Sequence, residues 1–124
     1  MFDLLCSIEQ LHHESETVCI LSIPSTSAAD AVVRFAALYL EKTSQICFTD
    51  RHSGHTVILA RTSNEFTLSL NGKRFPVTRT WLEAVASLLT DAALYGWFAA
   101  AHIDADFKND QESVSVCLKI DPPI

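Results

Sequence analysis

Residues 65–73 read Glu65-Phe66-Thr67-Leu68-Ser69-Leu70-Asn71-Gly72-Lys73. Phe66, Leu68 and Leu70 alternate with polar residues, so a period of two places three large apolar side chains on one face of an extended strand. Asn71-Gly72 then supplies the two residues that best tolerate positive φ in a tight hairpin turn. The chain returns through residues 73–78, where Pro76 confines the strand to an edge because proline cannot donate to a ladder. Two apolar runs lie just upstream, Ile46-Cys47-Phe48-Thr49 and Thr56-Val57-Ile58-Leu59-Ala60. The polar turn segments His52-Ser53-Gly54 and Thr62-Ser63-Asn64 punctuate them. Connections this short predict an antiparallel meander.

Working outward, Val18-Cys19-Ile20-Leu21-Ser22-Ile23 reads as a compact strand that Pro24 ends. Ser25-Thr26-Ser27 offers capping oxygens, and residues 28–42 contain no Gly or Pro, so a helix follows. Its expected packed face is Val32, Phe35, Ala36, Tyr39 and Leu40. Leu4, Leu5, Ile8 and Leu11 also fall at helical spacing, which predicts a short amphipathic helix over residues 2–11. On the other side of the meander, Thr80 and Glu83 form a capping-box pattern opening a helix through Leu82, Val85, Leu88, Leu89, Ala92 and Tyr95. Ile103, Ala105 and Phe107 alternate on one closing strand, and Val114, Val116, Leu118 and Ile120 on another. Residues 108–113 join them as a hairpin. The expected fold is a single α+β domain over residues 1–124, a mostly antiparallel sheet with helices packed on one face.

The composition narrows the function classes. Of 124 residues, 48% are hydrophobic and 19% charged, which excludes intrinsic disorder. A net charge of −6 argues against binding to a phosphate backbone. With 3 glycines and none of the Gly-rich, nucleophile-elbow or His-Glu-x-x-His signatures, no cofactor is expected. The most apolar stretch, residues 92–101, is too short to span a bilayer, and Asp91 and His102 flank it. The start of the chain lacks the basic, then apolar, pattern of an export signal. The expectation is a cytoplasmic protein whose four scattered cysteines, Cys6, Cys19, Cys47 and Cys117, stay reduced and structural.

Two polar clusters could carry chemistry. On the predicted strand at 102–107, His102, Asp104 and Asp106 share the face opposite Ile103, Ala105 and Phe107. Residues two apart on one strand lie about 6.5–7 Å apart at Cα, so ligating a metal would require a further ligand from elsewhere. A solvated face or an acidic row for a partner are the other readings. Asp50-Arg51-His52-Ser53-Gly54-His55 sets two histidines and an acid around a turn, compatible with a base beside Ser53 or simply with turn chemistry. Lys73, Arg74 and Arg79 beside Phe75 are too few for a nucleic-acid patch.

Charge is distributed unevenly. Residues 1–16 carry four acids and no Lys or Arg, and residues 104–124 carry five acids and two bases. If the two ends meet in the fold, one side of the protein is strongly negative and suited to a basic partner.

The short helical start, the Glu65–Lys73 meander end, the Thr80-Trp81-Leu82-Glu83 helix and the closing His102-Ile103-Asp104-Ala105-Asp106-Phe107 hairpin together resemble immunity proteins of bacterial toxin systems, including contact-dependent growth inhibition. The resemblance implies a non-enzymatic inhibitor, monomeric and binding one copy per toxin, that covers the active site of a basic, nuclease-like toxin. On that reading Asp104, Asp106, Asp110 and Glu112 stand in for substrate phosphates, beside His102, with Glu14 and Glu16 as a second group. A dimeric secretion chaperone that binds an effector is the alternative. A small enzyme or ligand-binding domain using His52, His55 or His102 is the third.

Overall fold

The computed structural model describes residues 4–13, 16–63, 65–95 and 102–121. Over the described residues the protein is α+β, with two helices and two mostly antiparallel sheets instead of the one sheet the sequence suggested.

The meander forms as predicted. Strands β4 (Gln45–Thr49), β5 (Thr56–Thr62), β6 (Glu65–Leu70) and β7 (Lys73–Val77) lie side by side, each antiparallel to the next. Leu70 pairs with Lys73 across the tight turn, where Asn71 and Gly72 adopt φ of 53° and 78°. These positive values explain the residue choice: Gly lacks the Cβ that makes them costly, and Asn tolerates them better than most side chains. Pro76 lies on the edge strand, as expected.

Residues 2–11 contain strand where a helix was expected. Strand β1 (Leu4–Leu5) pairs parallel with β4, and β2 (Ser7–His13) pairs antiparallel with β3 (Glu16–Pro24) in a second sheet. The i,i+4 spacing of Leu4 and Ile8 fits either period. Leu4, Cys6 and Ile8 are buried while Leu5, Ser7 and Glu9 are exposed, which is a period of two once cysteine counts as apolar. Pairing along all of β2 supplies more hydrogen bonds than a two-turn helix could hold alone.

The second sheet has the order β2-β3-β9-β8, with β8 His102–Lys108 and β9 Ser113–Asp121. The hairpin of β8 and β9 is antiparallel, but β3 and β9 run parallel over residues 17–24 and 114–121. Two segments from opposite ends of the chain are thus the central strands.

A 3-10 turn (Ser25–Ser27) leads into α1 (Ala28–Tyr39), with no capping hydrogen bond from the Ser27 side chain. Ala28, Ala31, Phe35 and Leu38 are its buried residues, so the packed stripe is rotated from the expected one. Tyr39 and Leu40 are exposed. Val32, Ala36 and Tyr39 instead line a groove of about 380 Å³ against Leu82, Ala86 and Thr90 of α2 (Arg79–Tyr95). Arg61 closes the far end of α1. Its guanidinium donates to the carbonyls of Leu38 and Tyr39 and pairs with Glu41 at 2.7 Å, a cation at the negative end of the helix dipole. Helix α2 begins earlier than predicted: Trp81 N–H donates to Thr78 Oγ1 at 3.1 Å, so Thr78, not Thr80, is the capping side chain.

One core joins both sheets and both helices. From α2 it takes Trp81, Leu82, Val85, Leu89 and Ala92, and Trp81 meets Phe107 edge-on with ring centroids 5.2 Å apart. Leu89 is fully buried and Leu88 partly so. Replacing Leu89 by Ala should therefore cost roughly 2–5 kcal/mol, the range for a buried leucine. Leu94, 68% exposed, should lose under about 0.5 kcal/mol on the same change. Urea unfolding of the two variants tests this, and equal losses would show that α2 docks by another face.

Candidate functional site

The outer face of the second sheet follows from its pairing. In register, Leu11, Val18, Ser115 and Asp106 form one row; Glu9, Ile20, Cys117 and Asp104 the next; Ser7, Ser22, Lys119 and His102 the third. The neighbouring positions Ile8, Cys19, Leu21, Val114, Val116, Leu118 and Phe107 fill the core on the opposite face. Alternation on β8 is as predicted: His102, Asp104 and Asp106 are exposed, Ile103 and Ala105 half-buried, and Phe107 buried.

The acidic residues of the two chain ends meet here. Glu16 and Asp106 both reach the hydroxyl of Ser115, at 2.9 and 2.6 Å. One hydroxyl proton serves only one carboxylate at a time, so two acids share one donor. Among the described residues no Lys or Arg makes an ion pair with either acid. Between the carboxylate-bearing edges, Leu11 (47% exposed) and the half-buried Val18 and Ile20 form an apolar strip outside the core.

One row along, Asp104 gathers two partners. Its carboxylate lies within 4.8 Å of the Cys117 thiol and 3.4 Å from His102 Nδ1. The thiol hydrogen bond and then the adjacent imidazole hold the Asp104 carboxyl below its ordinary range. Cys117 is pushed up to about 11, first by desolvation and then by the Asp104 hydrogen bond and charge. A thiol in that state is a poor nucleophile near neutral pH.

The other expected site residues separate. Glu112 pairs with Lys73 at 2.6 Å, so its charge is compensated by the hairpin of the first sheet. Asp110 is exposed in the β8–β9 turn. Asn109 organises that turn, its Oδ1 accepting from the N–H groups of Gln111 and Glu112, and its Nδ2 donating to the Arg74 carbonyl. Glu14 lies outside the described residues. Arg79 stands over the rings of Tyr39 and Phe66 at 5.7 and 5.6 Å, a packing role rather than part of a basic patch with Lys73.

The Asp50–His55 cluster also resolves into structure. The buried Asp50 carboxylate accepts from Ile8 N–H at 2.9 Å through Oδ2. Through Oδ1 it accepts from His52 N–H at 2.9 Å and Ser53 N–H at 3.4 Å. Ser53 Oγ accepts from His55 N–H. Asp50 thus fastens the β4–β5 turn to the start of β2, and its lone pairs are occupied by backbone rather than turned toward a substrate. The reading of this cluster as turn chemistry is the one the geometry favours.

Among the described residues no helix is long and apolar enough to cross a membrane. No family model matches the chain, and no curated protein or solved structure does either.

The Asp50 clamp has a pH signature. Hydrogen bonds from Ile8 and then His52 lower its pKa to about 2, against an opposing desolvation effect. A carboxyl whose folded pKa is depressed adds stability above its unfolded value, near 3.9, and loses it as pH falls toward about 2. Wild type should lose urea resistance across that interval. Asp50→Asn should be less stable at pH 7 and show a flatter acid limb, because the amide nitrogen cannot accept a backbone N–H. Parallel acid limbs in the two proteins would exclude this clamp.

Proposed function

We propose that this protein works by binding, capturing one basic polypeptide partner on the outer face of the β2-β3-β9-β8 sheet and blocking that partner sterically. The observation that carries the reading is the pair Glu16 and Asp106, two carboxylates around one serine hydroxyl. A guanidinium placed there would bridge both acids with its fork of donors and relieve their repulsion. The strip of Leu11, Val18 and Ile20 beside them supplies the apolar centre such an interface needs, with Glu9 and Asp104 at its margins. This arrangement supports an immunity-type inhibitor of a basic, nuclease-like toxin, with the contact surface moved from the hairpin turn to the sheet face. In this reading His102, Asp104, Asp106 and Glu16 face the partner, while Glu112 is paired with Lys73 and Asp110 lies in the β8–β9 turn.

A specific observation favours the chaperone reading as well. Val33, Leu40, Leu94 and Tyr95 are 66%, 63%, 68% and 72% exposed, an unusual apolar load on two helices. A chaperone would bury them in a homodimer, whereas an immunity protein remains monomeric, so mass in solution separates the two.

The direct test uses the protein encoded immediately beside this chain as the binding partner. Glu16→Gln with Asp106→Asn should weaken binding by roughly 2–5 kcal/mol if the acids are buried against an arginine, and wild-type association should slow as salt rises. Unchanged affinity and unchanged salt dependence in a folded double variant would exclude this face as the contact surface.

A further inference from the structure

We infer that His102, Asp104 and Cys117 form a zinc-binding site on the outer face of β8 and β9. The imidazole, carboxylate and thiol ligand atoms all lie within 4.8 Å of one another. Strand pairing brings them together. Asp104 stands directly opposite Cys117, and His102 projects from the same face two residues earlier on β8. The strand at 102–107 alone supplies only the imidazole and the carboxylate; the Cys117 thiol on the neighbouring strand is the third donor.

The dimensions suit the ion. Zinc–ligand bonds of about 2.0–2.3 Å put tetrahedral ligand atoms roughly 3–4 Å apart. His102 Nδ1 and Asp104 Oδ1 are already 3.4 Å apart, and both side chains are exposed enough to rotate, at 48% and 66%. Donor chemistry selects the metal. A thiolate disfavours magnesium and calcium, whereas nitrogen, sulfur and carboxylate together suit borderline-soft zinc. On binding, the Cys117 S–H bond breaks, the proton passes to solvent and the sulfur electron pair bonds to the metal, with no change of oxidation state. Carboxylate and thiolate together then balance the two positive charges. Three protein ligands leave a fourth position for water.

The surroundings agree in sign. Asp106 and Glu16 lie one row along and add negative potential. Lys119 faces His102 across the strand pair, but its ammonium is 3.9 Å from Asp121 Oδ1 and so is drawn toward that carboxylate. The site shares His102 and Asp104 with the proposed partner surface, but Glu16 and Asp106, the pair that carries that reading, are not ligands, so the two can be tested separately.

Cobalt(II) is the spectroscopic probe and zinc the titrant, both with the full-length reduced protein. Wild type should bind one zinc per chain and, with cobalt, show a thiolate-to-metal charge-transfer band. Cys117→Ser should abolish the band and Cys47→Ser should leave it. His102→Ala should weaken zinc by more than the roughly 10–100-fold that loss of an outer-shell partner costs. Absence of the band in wild type, its survival in Cys117→Ser, or a His102→Ala affinity within about twofold of wild type would each overturn the site. Should Cys117→Ser fail to fold, alkylation of wild type decides: zinc must slow modification of Cys117 selectively over Cys47, and equal rates with and without zinc would refute the proposal.

Discussion

The parallel pairing of β3 with β9 is the constraint on which the remaining structure depends. It joins residues 17–24 to residues 114–121, so nearly the whole chain must close before the pair can form. Loop-closure entropy grows only slowly with length, so the thermodynamic cost is modest, but contacts of this range slow folding. The pair is central in its sheet, with β2 attached to one side and β8 to the other. Its inner side chains Cys19, Leu21, Ile23, Val114, Val116, Leu118 and Ile120 are all buried. Its outer side chains set the rows in which Ser115 meets Glu16 and Cys117 faces Asp104. Core and candidate site are therefore two faces of one strand pair, and disturbing its register by one residue would exchange them.

A second constraint keeps the two sheets in place relative to each other. The chain passes from the first sheet to the second at Cys6, whose N–H donates to the Thr49 carbonyl at 3.1 Å. Immediately after that crossing, Ile8 N–H is held by Asp50. A buried acid is expensive unless its charge is satisfied by donors, and here three backbone N–H groups do so. At the other end, Lys73 to Glu112 and Asn109 to the Arg74 carbonyl tie the β8–β9 turn to the first sheet. Polar contacts fix the seams while apolar burial supplies the stability between them.

How far the sequence reveals all this depends on the range of each interaction. The meander was legible because alternation and Asn71-Gly72 are local signals. Strand β2 was not, because Leu4, Ile8 and Leu11 satisfy a helical period and only pairing with β3 decides between the two. The expected face of α1 includes Tyr39 and Leu40, which line a groove and solvent instead of the core. Part of the site could have been counted out. With Lys108 opposite Ser113 at the hairpin, stepping back four residues on each strand places Asp104 opposite Cys117. An apolar run alone suggests a buried Cys117, although alternation from Val116 and Leu118 already turns it outward. The meeting of Glu16 with Asp106 has no local signal, since it needs the parallel register of β3 and β9.

The inner and outer faces obey different rules, and the contrast bears on function. Inside the second sheet each strand presents large apolar side chains in alternation, which is what packing requires. Outside, three departures fall within three adjacent rows. Two carboxylates compete for one hydroxyl, apolar Val18 and Ile20 stand apart from the core, and a cysteine shares its surroundings with an acid and a histidine. Each departure costs some stability in the isolated protein, through like-charge repulsion, incomplete burial or desolvation of a thiol. Local conflicts of this kind concentrate where a surface has a task besides folding. A cationic group resolves the first, a covering surface the second and a soft cation the third. On the proposed reading, the outer face is half an interface whose electrostatic and apolar groups meet their counterparts in a partner.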